Sequence, residues 1–302
     1  MNVMNGLDVV NIKITNGCNL SCKGCSHMSQ YATASSSIDV DKLKQDIIAF
    51  RQNFNVLHHV SLLGGEVLLE PRWSEVLSLI EDLYLGSVQV RFYTNGLLLD
   101  KNKEAVVQHM LRGSKLRISL HESPESKVGQ QVMKQVALFL EYANKHIENL
   151  PSLDVLYSHG RNNLWDIPDK IAASNNYNTY WTELFYEQGG KLYPYNSDNI
   201  ELSYQHCPCR NAQLYNGRVW KCPQTAYLRD TLAAFEQLDD PAWQPYLQYK
   251  GISLHASDEE KAQFYFDQLR PMDFCSMCPK NGHYSVHAQD FGKKRHIKVI
   301  PV

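Results

Sequence analysis

Between residue 9 and about residue 186 the sequence alternates short apolar runs with longer segments of helical period, and this alternation limits the possible folds more than any other feature. Val9-Val10-Asn11-Ile12-Lys13-Ile14 reads as a strand that Thr15-Asn16-Gly17 ends. Leu43, Ile47, Phe50 and Phe54 recur at helical spacing over 41–54, with Asp39 as N-cap. The pattern continues with a strand over 59–63, a helix over 71–84 with Pro71 in its first turn, and a strand over 88–94. A helix over 102–111, a strand over 116–120 and a long helix over 126–146 follow. The last members are a strand over 153–157, a helix over 167–174 and a strand over 180–185. Six such units predict an α/β fold, a parallel sheet with helices outside. Eight would close a TIM barrel, so six predict a partial, open (β/α)6 TIM-like barrel.

The character changes after residue 187. Gly189-Gly190, Pro194 and Asn196-Ser197-Asp198-Asn199 read as a linker, which divides the chain into 1–186 and 187–302. The second part carries a hairpin candidate, Ala212–Trp220 turning at Asn216-Gly217, and a helical stretch over 258–268. Lys+Arg total 30 against 32 Asp+Glu, so no general attraction to nucleic acid or anionic membrane is expected. The local exception is the basic stretch 293–298, Lys-Lys-Arg-His-Ile-Lys, which reads as a solvated tail or a binding arm. Neither a signal peptide nor an 18-residue apolar span is visible, which predicts a cytoplasmic protein with no membrane partner. Cytosolic thiols stay reduced and serve as ligands or catalysts rather than disulfides.

The eight cysteines are unevenly placed: three within 18–25, none over 26–206, and five within 207–278. Cys18-x3-Cys22-x2-Cys25 follows the first strand, and in α/β folds the carboxyl ends of strands carry active sites. Closed zinc sites usually pair two C-x2-C units, whereas three thiolates on a four-iron cluster leave one iron open. A zinc site or three buried thiols are the alternative readings.

C-x3-C-x2-C at the end of the first strand of a β/α partial barrel resembles the radical S-adenosylmethionine (SAM) superfamily. That resemblance implies a [4Fe–4S] cluster on Cys18, Cys22 and Cys25 whose open iron binds SAM through its amino and carboxylate groups. Reductive cleavage of SAM then gives a 5′-deoxyadenosyl radical, which abstracts a substrate hydrogen, and the electron comes from a reductant such as flavodoxin or ferredoxin. Gly24 departs from the family's usual aromatic residue before the third cysteine. Gly64-Gly65-Glu66, ending the second strand, resembles the family's G-G-E-P motif, with Val67 in place of proline. Asn95, Ser119 and His121, at the ends of the third and fourth strands, match family positions that contact SAM. Asn95-Gly96 also suits a turn, and His121 a buried structural histidine. Tyr157, His159 and Arg161 read as a polar rim for a hydroxylated or anionic substrate, or as a solvated loop.

Cys207, Cys222, Cys275 and Cys278 supply four soft ligands, enough to close an iron–sulfur or zinc site. C-x9-G-x4-C followed by C-x2-C resembles SPASM/twitch domains, which bind auxiliary [4Fe–4S] clusters; the one-cluster twitch form fits. Cys207 suits that spacing better than Cys209. The likeness to twitch-type aminocyclitol dehydrogenases implies oxidation of a small polar substrate such as a sugar, aminocyclitol, nucleoside or amino acid. In that scheme the second cluster accepts an electron. Redox-neutral rearrangement, modification of a peptide or a nucleic-acid base, and a non-catalytic zinc or electron-carrier module are the alternatives.

Overall fold

The computed structural model describes residues 5–22, 24–31, 38–158, 170–175, 180–182, 185–207, 209–280 and 284–286. Strands β1 (Leu7–Lys13), β2 (Val56–Leu63), β3 (Gln89–Thr94), β4 (Lys115–Leu120) and β5 (Ile171–Asn175) alternate with helices. The helices are α1 (Val40–Asn53), α2 (Trp73–Tyr84), α3 (Lys103–Arg112), α4 (Lys127–Ala143) and the short α5 (Leu153–Ser158). The five strands pair in parallel in chain order. Asp39 caps α1, its carboxylate accepting from the backbone N–H groups of Asp41 and Lys42. Ser126 caps α4 through the Gly129 N–H.

Beyond these come β6 (Tyr180–Thr182), β7 (Tyr186–Gln188), β8 (Lys191–Tyr193), α6 (Ile200–Gln205), β9 (Ala212–Tyr215) and β10 (Arg218–Trp220). The chain continues through α7 (Pro223–Ala234), α8 (Gln244–Leu247), β11 (Ile252–Ser253), α9 (Asp258–Gln268) and β12 (Tyr284–Val286). β9 lies parallel to the free side of β1, and the β9–β10 hairpin and β11 continue the sheet outward. The result is one eight-stranded sheet, β11-β10-β9-β1-β2-β3-β4-β5. Its six parallel strands therefore include one from beyond the linker, and the sheet crosses from the first part of the chain into the second.

Three expectations are corrected. Residues 153–157 are helical, not a strand: Leu153-Asp154-Val155-Leu156-Tyr157 is too short an apolar run for its period to decide. The fifth parallel strand is instead 171–175, inside the segment expected to be helical; Ala172 and Ala173 favour helix, but pairing with β4 overrides that preference. Residues 180–182 do form a strand, but it pairs antiparallel with β12 in a separate two-stranded sheet, so the chain-order units number five rather than six. A smaller correction concerns Pro71, which precedes α2 rather than opening it, since Arg72 is the capping residue.

The hydrophobic core is divided in two. The larger cluster packs the sheet against α1–α4: Val10, Ile12 and Ile14 from β1 meet Ile47 and Phe50, with Val76, Val106 and Phe139 farther along. On β1 the alternate residues Asn11 and Lys13 are also buried, and so must face the opposite side of the sheet, as the period of a strand requires. Ser61, Arg91, Arg117 and Gln213 alternate in the same way with core residues on β2, β3, β4 and β9. One sheet face is thus apolar and covered by helices, and the other is polar. The second cluster gathers Tyr215, Tyr227, Leu232, Trp243, Phe274 and Met277 around the C-terminal cysteines. Met28 joins it from just after the N-terminal cysteines, its sulfur accepting from the Thr231 hydroxyl at 2.8 Å.

Candidate active site

The loop bearing Cys18, Cys22 and Cys25 leaves the carboxyl end of β1, and the loops after β2 and β3 pack directly on it. The Gly65 N–H donates to Thr15 O at 3.0 Å and the Glu66 N–H to Gly17 O at 2.9 Å. A Cβ at Gly65 would sit 2.1 Å from the Gly17 carbonyl oxygen, so only glycine allows this approach. The glycine pair admits the cysteine loop itself. Gly24 has φ of 74°, a left-handed backbone that disfavours the aromatic residue usual there.

Glu66, 1% exposed, is the hub of these loops. Its Oε1 accepts from the Leu68 N–H at 3.1 Å and the Thr94 hydroxyl at 2.7 Å, and its Oε2 from the Asn95 N–H at 2.7 Å. A carboxylate has about four acceptor sites, so roughly one is left for a ligand. Burial raises its pKa and the three hydrogen bonds oppose the rise. Asn95 serves two ends at once: its Oδ1 accepts from the Leu97 N–H at 3.1 Å in a local turn, and its Nδ2 donates to Asn19 Oδ1 at 2.7 Å. The same Nδ2 lies 4.0 Å from Cys18 Sγ. Ser119 sits on β4 opposite Ser174 of β5, on the polar face. His121 follows β4 and lies within electrostatic reach of His27 in the cysteine loop. Of the expected rim, His159 and Arg161 and the side chain of Tyr157 fall outside the described residues, as does the basic stretch 293–298.

The three thiols feel one another. Burial pushes Cys18 up to about 12, and Cys22 rises well above the ordinary thiol value through burial and then the proximity of Cys25 and Cys18. Among the described residues no three His, Cys, Asp or Glu side chains converge as a single bound ion would require.

A second set of sulfurs surrounds a pocket below α7. Cys207, Cys222, Cys275 and Cys278 all line it, with Gln224 and Phe274 among their neighbours, while Cys209 does not. Cys207 follows α6, Cys222 is the N-cap of α7 with Pro223 at its first turn, and the other two lie in the 3-10 turn over 273–277 and immediately after it. Backbone N–H groups point at two of the sulfurs, Cys209 N to Cys207 Sγ and Met272 N to Cys275 Sγ, both at 3.4 Å. The Cys209 thiol also hydrogen-bonds to Cys207 and holds it down to about 7, whereas burial pushes Cys222 up to about 12. The Gln224 amide, 1% exposed, makes no ordinary hydrogen bond among the described residues.

A model of the radical SAM superfamily matches residues 12–169, just over half of the chain. The chain belongs to the radical SAM superfamily. No curated protein sequence matches it. Among solved structures it is similar to BtrN in complex with AdoMet and 2-DOIA, at 16% identity over 90% of this chain and 92% of that one, with a TM-score of 0.47. It is similar also to anSMEcpe with bound AdoMet, at 16% identity over 81% and 63%, TM-score 0.38. SuiB of Streptococcus suis bound to precursor peptide SuiA is a third, at 15% identity over 82% and 68%, TM-score 0.35. At such distances nothing about substrate passes from them to this chain. Superfamily membership implies a [4Fe–4S] cluster and SAM. No helix among the described residues is long and apolar enough to cross a membrane.

The residues present fit such a group. Cys18 and Cys22, pushed above the ordinary thiol value by burial, are poor thiolates alone and suit a cationic iron–sulfur core, whose binding would displace their protons. Three residues that sequence reasoning did not single out also belong to this region. Lys13 and Tyr227 pack together beside Cys25, and Thr94 shares Glu66 with Asn95. The Lys13 signal was legible as a lone charge alternating with apolar neighbours on a buried strand; the Tyr227 partnership, 214 positions away, was not.

Proposed function

We propose that this protein is a radical SAM enzyme acting on a small polar substrate, with its SAM-binding cluster on Cys18, Cys22 and Cys25 and a fully ligated auxiliary cluster on Cys207, Cys222, Cys275 and Cys278. The reading is supported above all by three thiols at the carboxyl end of β1, Cys22 buried and Cys18 and Cys25 partly so, beside loops from β2 and β3. A separate set of four thiols lines the second pocket. The cluster and SAM, when bound, supply a 5′-deoxyadenosyl radical able to remove a hydrogen atom from the substrate.

The chain's own residues do the positioning. Gly64 and Gly65 let the β2 loop lie on the cysteine loop, and Glu66 ties that loop to Thr94 and Asn95. Asn95 fixes Asn19 and, through it, the approach to Cys18. With its remaining acceptor capacity Glu66 would receive the SAM amino group, and Ser119 and His121 would offer polar atoms to the rest of SAM. The polar sheet face that carries Asn11, Ser61 and Ser119 suits a hydroxylated substrate better than an apolar one. Cys207, Cys222, Cys275 and Cys278 would hold the second cluster, which would supply an acceptor for the electron that the substrate radical loses, and flavodoxin or ferredoxin would supply the electron for SAM cleavage.

Protein prepared without air is expected to be brown, to hold about eight irons per chain and to cleave SAM on reduction. Cys22→Ala is expected to abolish 5′-deoxyadenosine formation. Colourless protein with stoichiometric zinc, or retained cleavage in Cys22→Ala, would contradict the assignment.

A further inference from the structure

Lys13 is the last residue of β1, 3% exposed, on the polar face of the sheet. Burying an ammonium is expensive unless its donors are met. Of three donors, one goes to the His27 carbonyl at 2.9 Å. The ammonium otherwise rests on aromatic faces, 3.8 Å from the Tyr227 ring centre and 5.7 Å from that of Tyr215. Tyr227 is fixed in turn, 1% exposed, its hydroxyl donating to Gln213 Oε1 at 2.8 Å. The negative groups within reach of Lys13 are Cys25, first, and Asp230, which already accepts from the Tyr215 hydroxyl. Tyr227 stands within electrostatic reach of both Cys25 and Cys222. The pair therefore lies between the two sets of cysteines, nearer in charge terms to the N-terminal one.

Lys221 shows what a satisfied buried lysine looks like in this protein. It stands beside Cys275 and Cys222, and its ammonium donates to two carbonyls, those of Asp267 and Arg270. Among the described residues Lys13 has one such acceptor, and the aromatic faces and nearby thiol supply the rest of its compensation.

We propose that Lys13 is a positioning residue whose ammonium, held on the Tyr227 ring, offsets the negative charge of the N-terminal thiolate-bound group and thereby raises its reduction potential. The proposal rests on the assignment of a cluster to Cys18, Cys22 and Cys25. A fixed positive charge stabilises the more negative, reduced state, so removing it makes reduction harder. In a low-dielectric site the effect is not screened away by salt.

The test is a potentiometric titration followed by electron paramagnetic resonance on the full chain loaded with iron and sulfide. The N-terminal signal is recognised by its change on adding SAM and its absence from Cys22→Ala. Lys13→Met is expected to lower the reduction equilibrium constant of that signal at least tenfold, which is 59 mV for one electron. Lys13→Arg should stay within threefold of the parent, and the other signal should move less than the N-terminal one in both variants. Lys13→Gln gives the same reading should Lys13→Met take up too little iron. The apoprotein of Lys13→Met should resist urea at least as well as the parent, since the lysine is there for charge and not for packing. An unshifted N-terminal signal, or a shift equal in both signals, overturns the proposal. So does a marked loss of apoprotein stability. No SAM-responsive signal in the parent protein would instead overturn the cluster assignment on which the proposal stands.

Discussion

The two cysteine sites solve the same problem of holding buried sulfur with different means. At the N-terminal site three thiols occur within eight residues on one loop, and the rest of the enclosure is borrowed from the ends of neighbouring parallel strands, through Gly65, Glu66 and Asn95. At the C-terminal site four thiols come from three separate stretches of chain, and the enclosure is their own: α6, the start of α7 and the 3-10 turn over 273–277. The first arrangement supplies three sulfurs, one of them, Cys18 Sγ, accepting from the Leu20 N–H at 3.5 Å. The second closes around its pocket with N–H groups aimed at sulfur and a helix N-terminus at Cys222, both of which favour thiolate. Three sulfurs on a four-iron group would leave one iron to bind something further; four suit a group that only stores or passes charge.

The contrast can be broken most directly at the C-terminal site. Cys278→Ala should lose about half of the iron while SAM cleavage persists. Cys209→Ser should keep its iron, because Cys209 lies off the pocket that the other four line. Equal iron loss in the two variants, measured by colorimetric iron assay, would mean that a fifth sulfur takes part.

Next in size is a pH effect at the N-terminal site. Burial lowers Lys13 to about 8 from an ordinary 10.5, so the folded apoprotein gives up that proton more readily than the unfolded chain. The buried charge costs the apoprotein about 3 kcal/mol below pH 8, and the cost disappears as pH rises toward 10.5. Urea denaturation should therefore show Lys13→Met gaining on the parent below pH 8, with the gap closing above it.

Gly65→Ala tests the borrowed enclosure. Its new Cβ meets the Gly17 carbonyl, and overpacking of that kind costs about 2 kcal/mol. Iron should be lost from the N-terminal site first, seen as loss of the SAM-responsive signal with the other retained. The smallest expected effect is that of Asn95→Ala, which removes the tie to Asn19 and costs about 1 kcal/mol in urea denaturation.

Much of this was legible in the sequence, and the failures have physical causes. The first four strands and helices carry full hydrophobic periods and caps such as Asp39 and Ser126, so local pattern and tertiary outcome agree. Around 153–175 they do not: a five-residue apolar run became helix and an alanine pair became strand, because pairing with β4 decided what propensity left open. The place of β9 beside β1 joins residues 202 positions apart, and no local period encodes it. Glu66 was legible as a candidate site carboxylate, but its three internal donors were not, since they come from two different loops. Spacing together with the resemblance to SPASM/twitch domains singled out Cys207, Cys222, Cys275 and Cys278, and these four line one pocket.

The central claim is that one sulfur set has a vacancy for SAM and the other has none. Electron paramagnetic resonance of the reduced, fully loaded protein, recorded with and without SAM, tests it in one step. Two signals are expected, of which one changes on adding SAM and vanishes in Cys22→Ala while the other is indifferent to both. A spectrum unaltered by SAM, or one in which the SAM-responsive signal survives in Cys22→Ala, would contradict it.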